Sequence, residues 1–266
     1  FLGASTLEST RLLLNSTSND FPDGLANSSG ALGHYLMDHT MGHGANGDVP
    51  GFEDPANKGR RLNGIYLPRF RNVDSAHPDF LRGYAYQGSG SRQGWGRGVS
   101  ARGIGADFKQ SLIDPGPWRM QLYGFGECLP DERNQITLDP DVVDAWGVPA
   151  MRISCKWREN ETAMFDDMAV QAAEMLEAAG VRNVEEFHQD NPPGMTIHEM
   201  GTARMGRDPA TSVLNGFNQA HDVKNLFVVD GSCMVSSANQ NPSLTYMALT
   251  ARACDYAVKA MRRMEL

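Results

Sequence analysis

The sequence lacks several features that mark particular protein classes. Among its 266 residues, no apolar run approaches the length that a helix needs to cross a bilayer. A formal net charge of −8 leaves it without the basic excess that attracts nucleic acid or anionic membranes. We therefore expect no membrane span and no nucleic-acid partner. The chain also opens at Phe1 without an initiator methionine, so we expect a processed or truncated chain.

Cysteine is scarce and widely spaced. The sequence contains no C-x-x-C pair, which disfavours a zinc ribbon, and the spacing gives no sign of a disulfide framework. Isolated buried thiols are the prediction for all four cysteines, which are Cys128, Cys155, Cys233 and Cys254.

A metal-binding pattern is missing as well, although His34, His39 and His43 lie close together in the sequence. Gly42 and Gly44 disfavour the helix that would align His39 with His43, and no H-E-x-x-H motif is present. We predict no metal site, and a flap or a domain-joining role for this segment.

The dinucleotide-binding fingerprint G-x-G-x-x-G, which follows a strand and opens a helix, is absent too. The short run Gly103–Ala106 has neither the length nor the strand–turn–helix context. We expect any pyrophosphate-binding half to lie on an absent segment or on a separate chain.

Helical spacing of apolar residues predicts helices in three parts of the chain. A turn followed by a helix is predicted over residues 3–15, with Ser5 or Thr6 as its cap. A second helix is predicted over residues 161–179 and a long third one over 242–261.

Alternating patterns predict an antiparallel sheet in the middle of the chain. Its strands are expected at residues 119–125, 135–138 and 150–157, with a hairpin-like connection over 130–134. The run N-L-F-V-V-D at residues 225–230 predicts a further, buried strand.

The glycine-rich stretch 88–105 indicates a surface loop or a mobile lid. Three aromatic residues nearby, Trp95, Trp118 and Tyr123, have two possible roles, since such rings pack in cores and also stack on the apolar faces of sugars.

Two segments near the C terminus carry residues suited to alcohol oxidation. His198 opens the run H-x-x-G-T-x-x-M-G, and Asn241 opens N-P-S-L-T ahead of the last predicted helix. Oxidising an alcohol requires a base for the hydroxyl proton, and histidine titrates at a pH of about 6.5. Asparagine has no titrating proton, so Asn241 can only orient and polarise a substrate. Asn241 followed by Pro242 is also typical of a helix N-cap.

These motifs resemble the C-terminal signature of the glucose–methanol–choline (GMC) oxidoreductases. Residues 3–13 are similar to that family's internal FAD-contacting turn and helix, and residues 32–39 to the exit from its flavin domain. The resemblance implies FAD as cofactor and an α/β (α+β) fold. An incomplete FAD-binding Rossmann-like domain would comprise residues 1–38 and 196–266, and an antiparallel-sheet substrate domain residues 39–195.

The resemblance also implies roles for the two motif residues. His198 is the expected catalytic base facing the flavin N5. Asn241 occupies the position where the family carries a second histidine or an asparagine that bonds to the substrate oxygen.

Five further residues are expected at the cofactor on the same grounds. Asp230 and Gly231 would lie against it, because glycine allows a close backbone approach. The start of the last helix, at Pro242, Ser243 and Leu244, would direct its positive end to the flavin. Proline has no N–H, so Ser243 and Leu244 are the expected donors.

Several interpretations of the function stay open. The His/Asn pair is most similar to the pyranose-oxidising and bacterial sugar dehydrogenase branch, which favours a sugar or glycoside secondary hydroxyl over choline-like or aliphatic alcohols. An oxidase would pass electrons to oxygen, whereas a dehydrogenase would add an electron-acceptor subunit as a partner. A non-catalytic scaffold is the alternative from another class, and the presence of both His198 and Asn241 argues against it. Periplasmic and cytoplasmic locations are both compatible with the sequence.

Overall fold

The computed structural model describes residues 1–53 and 64–266, and it has the mixed helical and antiparallel-sheet architecture that the sequence predicts. The chain forms two compact units. Unit 1 consists of Phe1–Thr40, Glu127–Glu161 and Pro192–Leu266, and unit 2 of Met41–Gly126 and Thr162–Asn191. The assignment of flavin and substrate domains stays a prediction, and its residues 54–63 lie outside the described part of the chain.

The described residues contain helices and strands with the following bounds. The α-helices are α1 Thr6–Asn15, α2 Ala106–Ile113, α3 Glu159–Ala178 and α4 Ser243–Arg262. The strands are β1 His39–Val49, β2 Ile65–Leu67, β3 Tyr84–Arg92, β4 Trp118–Glu127, β5 Gln135–Val143, β6 Pro149–Ser154 and β7 Arg182–His188. Short 3₁₀ helices span Trp95–Val99 and Gly231–Cys233. None of the described helices is long and apolar enough to cross a membrane.

Unit 2 is built on a five-stranded sheet with the order β2-β3-β4-β1-β7. Glycine allows its strands to come close together: a Cβ atom on Gly44 would lie 2.1 Å from the carbonyl oxygen of Leu122, and one on Gly88 2.5 Å from that of Gln121. The loop predicted over residues 88–105 is therefore wrong at its start, which belongs to β3, because these glycines serve close strand approach rather than a turn.

Helix α3 supplies the apolar layer on one face of this sheet. Met164 and Met168 are completely buried, and Met168 fills the space that a side chain on Gly124 would need. The hydroxyl of Tyr86 donates to the carbonyl of Met168 at 2.6 Å, so the one polar atom of this buried ring is satisfied.

The aromatic residues that were considered for stacking differ in burial. Trp95 is 77% exposed, so core packing is wrong for it, because it lies in a 3₁₀ helix without buried residues. Trp118 and Tyr123 lie on β4 and are partly buried.

Unit 1 contains the antiparallel hairpin of β5 and β6, which form a two-stranded sheet. The hairpin-like connection predicted over residues 130–134 is wrong, because β4 pairs with β3 and β5 with β6. Asn134 instead joins this segment to the end of β6: its side chain accepts from the N–H of Lys156 at 3.0 Å and donates to the Lys156 carbonyl at 3.3 Å.

The buried strand predicted over residues 225–230 forms single bridges instead of a continuous ladder. Phe227 and Val228 are buried as predicted, and Val228 bridges Leu2 while Phe227 bridges Gln219. Each of these pairings involves a single residue of the run.

The two helices of unit 1 begin differently from the prediction. Ser5 lies at the N-cap position of α1 but its side chain makes no capping bond, and α4 has Pro242 at its N-cap position, so the Asn241 cap is wrong. One face of α4 is buried through Ala253 and Ala257, which pack on Phe227.

A second face of α4 carries large apolar side chains in solvent. We call this the apolar stripe, and it consists of Leu244, Met247, Val258 and Met261, which are 77%, 67%, 47% and 64% exposed.

All four cysteines are free thiols. Cys128 and Cys233 are buried as predicted, whereas Cys254 is exposed, since it lies on the outer face of α4. The described residues contain no cluster of three or more acidic, cysteine or histidine side chains that could hold a metal ion.

Candidate active site

The loop that carries His198 is held by one buried carboxylate. Asp38, whose side chain is almost completely buried, accepts from the backbone N–H of Gly194 at 2.8 Å and of Thr196 and His198 at 3.3 Å. The Thr196 hydroxyl also donates to it. Several donors on one carboxylate compensate its burial, and together they fix the backbone of the loop.

Two residues near His198 have a positive φ, a backbone conformation that residues other than glycine rarely adopt. Ile197 has a φ of 61° and Thr202 one of 78°, and both residues are β-branched. Each such residue costs about 1–3 kcal/mol, so the surrounding contacts must supply compensating stability. Between them, Gly201 has a φ of 87°, and a Cβ atom there would lie 2.1 Å from the carbonyl oxygen of Tyr35. Glycine is therefore required at position 201 for two reasons: its φ is positive, and a Cβ atom would collide with the carbonyl oxygen of Tyr35.

The two residues predicted to be catalytic come together although they are 43 residues apart in the sequence. Asn241 Nδ2 lies 3.3 Å from His198 Nε2, with the ring partly buried and the asparagine exposed. Asn241 thus directs its side-chain amide towards the histidine instead of capping α4. The arrangement places a potential base and a hydrogen-bond donor side by side at the surface of unit 1.

A second histidine, His39, lies behind His198. The two Nδ1 atoms are 3.0 Å apart, and the rings meet edge to face with centroids 4.8 Å apart. Burial, together with the proximity of His198, lowers the pKa of His39 to about 4. His39 is therefore neutral at neutral pH.

Asp230 and Gly231 connect the His198 loop with the start of α1. The Asp230 carboxylate accepts from the N–H of Ser232 at 3.0 Å and from the hydroxyl of Ser9. A Cβ atom on Gly231 would lie 2.4 Å from Thr6 Oγ1. In the structure, the close approach at Gly231 is to other residues of unit 1, and the proposed cofactor contact of both residues stays a prediction.

The first backbone N–H groups of α4 follow Asn241 directly. The first helical bond of α4 runs from the N–H of Tyr246 to the carbonyl of Pro242 at 3.0 Å. The N–H groups of Ser243 and Leu244 precede it and have no acceptor within the helix. Nearby in the sequence, Asn239 is buried, and its Nδ2 atom has no hydrogen-bond partner among the described residues.

Comparison with known proteins places the chain in a family. Residues 130–250 match the model of the GMC oxidoreductases. A 2-methyl-1,2-propanediol dehydrogenase from Mycolicibacterium austroafricanum is 36% identical over 96% of this chain. The chain belongs to the GMC oxidoreductase family. The fructose dehydrogenase large subunit of Gluconobacter japonicus is 26% identical over 98% of the chain. Each match covers 47% of the relative, so this GMC chain spans about half the length of the relatives it matches.

A solved structure shows the same fold. The pyridoxine 4-oxidase from Mesorbium loti superposes with a TM-score of 0.57 at 20% identity, covering 96% of this chain and 50% of the other. At this level of identity, the likeness supports the GMC fold alone.

The residues at the start of α4 fit the FAD that GMC oxidoreductases generally use. FAD presents many hydrogen-bond acceptors. The N–H groups of Ser243 and Leu244 have no acceptor within α4, and Asn239 Nδ2 has no partner among the described residues, so these groups are suited to donate to it. Asp38 and His39 were missed as site residues, since His39 was considered only for a metal. Their adjacency in the family-like run over residues 32–39 was the signal that could have found them.

Proposed function

We propose that this chain is the C-terminal, base-carrying part of an FAD-dependent enzyme that oxidises an alcohol group. The observation that carries the proposal is the approach of His198 Nε2 to Asn241 Nδ2 at 3.3 Å, directly before the N terminus of α4. A non-catalytic scaffold has no need for this pair to converge on one exposed point.

In the proposed reaction, the protein moves the proton and positions the substrate. His198 Nε2 accepts the proton of the substrate hydroxyl, and the Asn241 amide donates to the same oxygen and holds the carbon in place. FAD, when bound, supplies the acceptor for the hydride. The N–H groups of Ser243 and Leu244, at the positive end of a helix of 20 residues, favour negative charge at that position.

We propose a polyhydroxylated substrate, with a sugar or glycoside secondary hydroxyl as the first choice and a small aliphatic diol as the second. Two relatives that match almost the whole chain are a 2-methyl-1,2-propanediol dehydrogenase and a fructose dehydrogenase subunit. A C-glycoside 3-oxidase from Arthrobacter globiformis is 32% identical over 47% of the chain.

The proposed enzyme needs two further components. An FAD-binding segment outside these residues would hold the pyrophosphate, for which this chain has no fingerprint. An electron-acceptor subunit is also proposed, and the designation of the fructose dehydrogenase relative as a large subunit supports it.

The test uses the complete enzyme, meaning this chain together with its FAD-binding segment. Flavin absorbance is followed anaerobically after addition of fructose, a glucoside, 2-methyl-1,2-propanediol or choline. We expect one of the first three to bleach the flavin, and His198→Ala to slow bleaching by about 10²–10⁴-fold while flavin stays bound. His221→Ala is the matched control, because this partly buried histidine contacts Ser212 instead, and it should leave the rate unchanged. Failure of the complete enzyme to take up flavin would favour the scaffold.

A further inference from the structure

The hydrogen bond between the ring nitrogens of His39 and His198 constrains where their protons lie. His39 Nδ1 and His198 Nδ1 are 3.0 Å apart, so one of them must carry a proton and the other a lone pair. The two rings cannot both carry hydrogen on these atoms. The assignment therefore depends on the remaining nitrogen of His39.

That nitrogen faces an atom that can only accept. His39 Nε2 lies 3.4 Å from the backbone carbonyl oxygen of Ser237, and the carbonyl of Ala238 also faces the ring. Nε2 of His39 is therefore the protonated nitrogen. Because burial keeps the ring neutral, it has one proton only, and its Nδ1 atom is an acceptor.

The proton assignment of His39 determines which nitrogen of His198 carries the lone pair. If His39 Nδ1 accepts, His198 Nδ1 donates, and the lone pair of a neutral His198 lies on Nε2. We propose that His39 is a positioning residue that fixes His198 in the tautomer with a basic Nε2, through the 3.0 Å hydrogen bond between their Nδ1 atoms. The proposal rests on the proposed function for its kinetic consequence, but the tautomer itself does not depend on it.

Other groups at the pair leave this proton assignment unchanged. Asp38 accepts from the backbone N–H groups of His39 and His198, at 2.8 Å and 3.3 Å. Asn241 meets His198 Nε2 through its Nδ2 atom, which is a donor and requires a lone pair on the ring. Since the Asn241 amide can turn and present its oxygen instead, this contact accommodates the tautomer that His39 specifies but does not fix it.

The proton that His198 takes up also has a defined location. On accepting a substrate proton at Nε2, the ring becomes cationic and keeps its Nδ1–H bonded to His39. A lone pair at that position stabilises the cation without a buried negative charge, in contrast to the carboxylate of a Ser-His-Asp triad. The proximity of His198 lowers the pKa of His39, so the pair holds one positive charge and not two.

The first test is spectroscopic and needs no flavin. Histidine-¹⁵N-labelled protein at neutral pH should show His198 with a protonated Nδ1 and an unprotonated Nε2, with the resonance identified by its loss in His198→Gln. In His39→Leu, which keeps bulk but removes the acceptor, we expect the His198 proton to move to Nε2. Protonation at Nε2 in the unmodified protein would overturn the proposal even if His39→Leu did not fold, and so would an unchanged tautomer in a folded His39→Leu.

Kinetics of the complete enzyme give the second test. Asn at position 39 offers an acceptor oxygen near the place of Nδ1, so His39→Asn should retain kcat within about 10-fold, whereas His39→Leu should lose about 100-fold or more. KM should change little in both. Equal losses in the two variants would overturn the positioning role. A correct tautomer in an enzyme that His198→Ala does not slow would instead refute the proposed function and leave the tautomer assignment standing.

Discussion

At the scale of single residues, Gly231 shows how tightly the loop of His198 is packed against α1. A Cβ atom at this position would lie 2.4 Å from Thr6 Oγ1 and 2.7 Å from the carbonyl oxygen of Glu199. We expect Gly231→Ala to lower the free energy of unfolding by about 1–3 kcal/mol, because the backbone carbonyl cannot move away without shifting the loop. Urea unfolding measures this difference.

Gly216→Ala is the matched control for that variant. A Cβ atom on Gly216 would have no heavy atom within 4 Å, so the substitution should change stability by less than about 0.5 kcal/mol. If both variants unfold at the same urea concentration, the close packing at Gly231 does not exist in solution.

The pKa of His39 makes a second residue-scale prediction. It falls from an ordinary 6.5 to about 4 on folding, so the unfolded chain binds more protons between these pH values. Above about pH 6.5, His39 is neutral in both states and does not lower the free energy of unfolding. As the pH falls from 6.5 to 4, the free energy of unfolding decreases by about 3 kcal/mol because of this group. His39→Asn should lack this part of the pH dependence. Urea unfolding of both proteins between pH 4 and 7 tests it, and identical pH profiles would contradict it.

Some residues of the site could be predicted from the sequence and others could not. His198 and Asn241 were found because each opens a short motif with its own local chemistry. The proximity of His198 to Asp38 and His39 depends on contacts across about 160 residues of chain, which no local pattern encodes. A buried carboxylate that holds a loop from a distant segment looks, in the sequence, like any other aspartate.

At the scale of elements, the two long helices α3 and α4 were predictable, whereas the short helix α2 and the glycine-rich strands were not. Helix α3 follows an uninterrupted apolar spacing, so its bounds were predicted to within two residues. Strand β1, H-T-M-G-H-G-A-N-G-D-V, lacks alternating apolar residues. It forms because Gly44 lets the neighbouring backbone approach, which depends on the tertiary structure and not on strand propensity.

Helix α4 offers the prediction at this scale, since its two faces differ in burial. Ala253 is completely buried against the Phe227 cluster, whereas Ala251, on the same helix, is exposed. Ala253→Leu should destabilise the protein by about 1–3 kcal/mol through overpacking, and Ala251→Leu by less than about 0.5 kcal/mol. Thermal unfolding of the two variants compares them directly, and equal midpoints would mean that α4 does not pack through this face.

At the scale of the whole molecule, unit 1 is assembled from three separate stretches of chain and unit 2 from two. The hydrogen bonds of the site follow this arrangement, since they join the segment around Asp38 with those around His198 and Ser237. Contacts of such long sequence separation carry a cost in loop-closure entropy, which the other contacts of the unit must offset. The geometry around His198 is therefore a property of the completed unit and not of the motif that identifies it.

The apolar stripe of α4 has a consequence for how these residues behave in solution. Four large hydrocarbon or thioether side chains on one helix provide a surface to which other copies can adhere. The net charge of −8 opposes this adhesion by mutual repulsion, which acts over about 10 Å at 0.1 M salt and over shorter distances as salt is added. Association of the isolated chain thus depends on the balance between apolar attraction through the stripe and electrostatic repulsion between the negatively charged copies. Added salt weakens the repulsion, so it favours association.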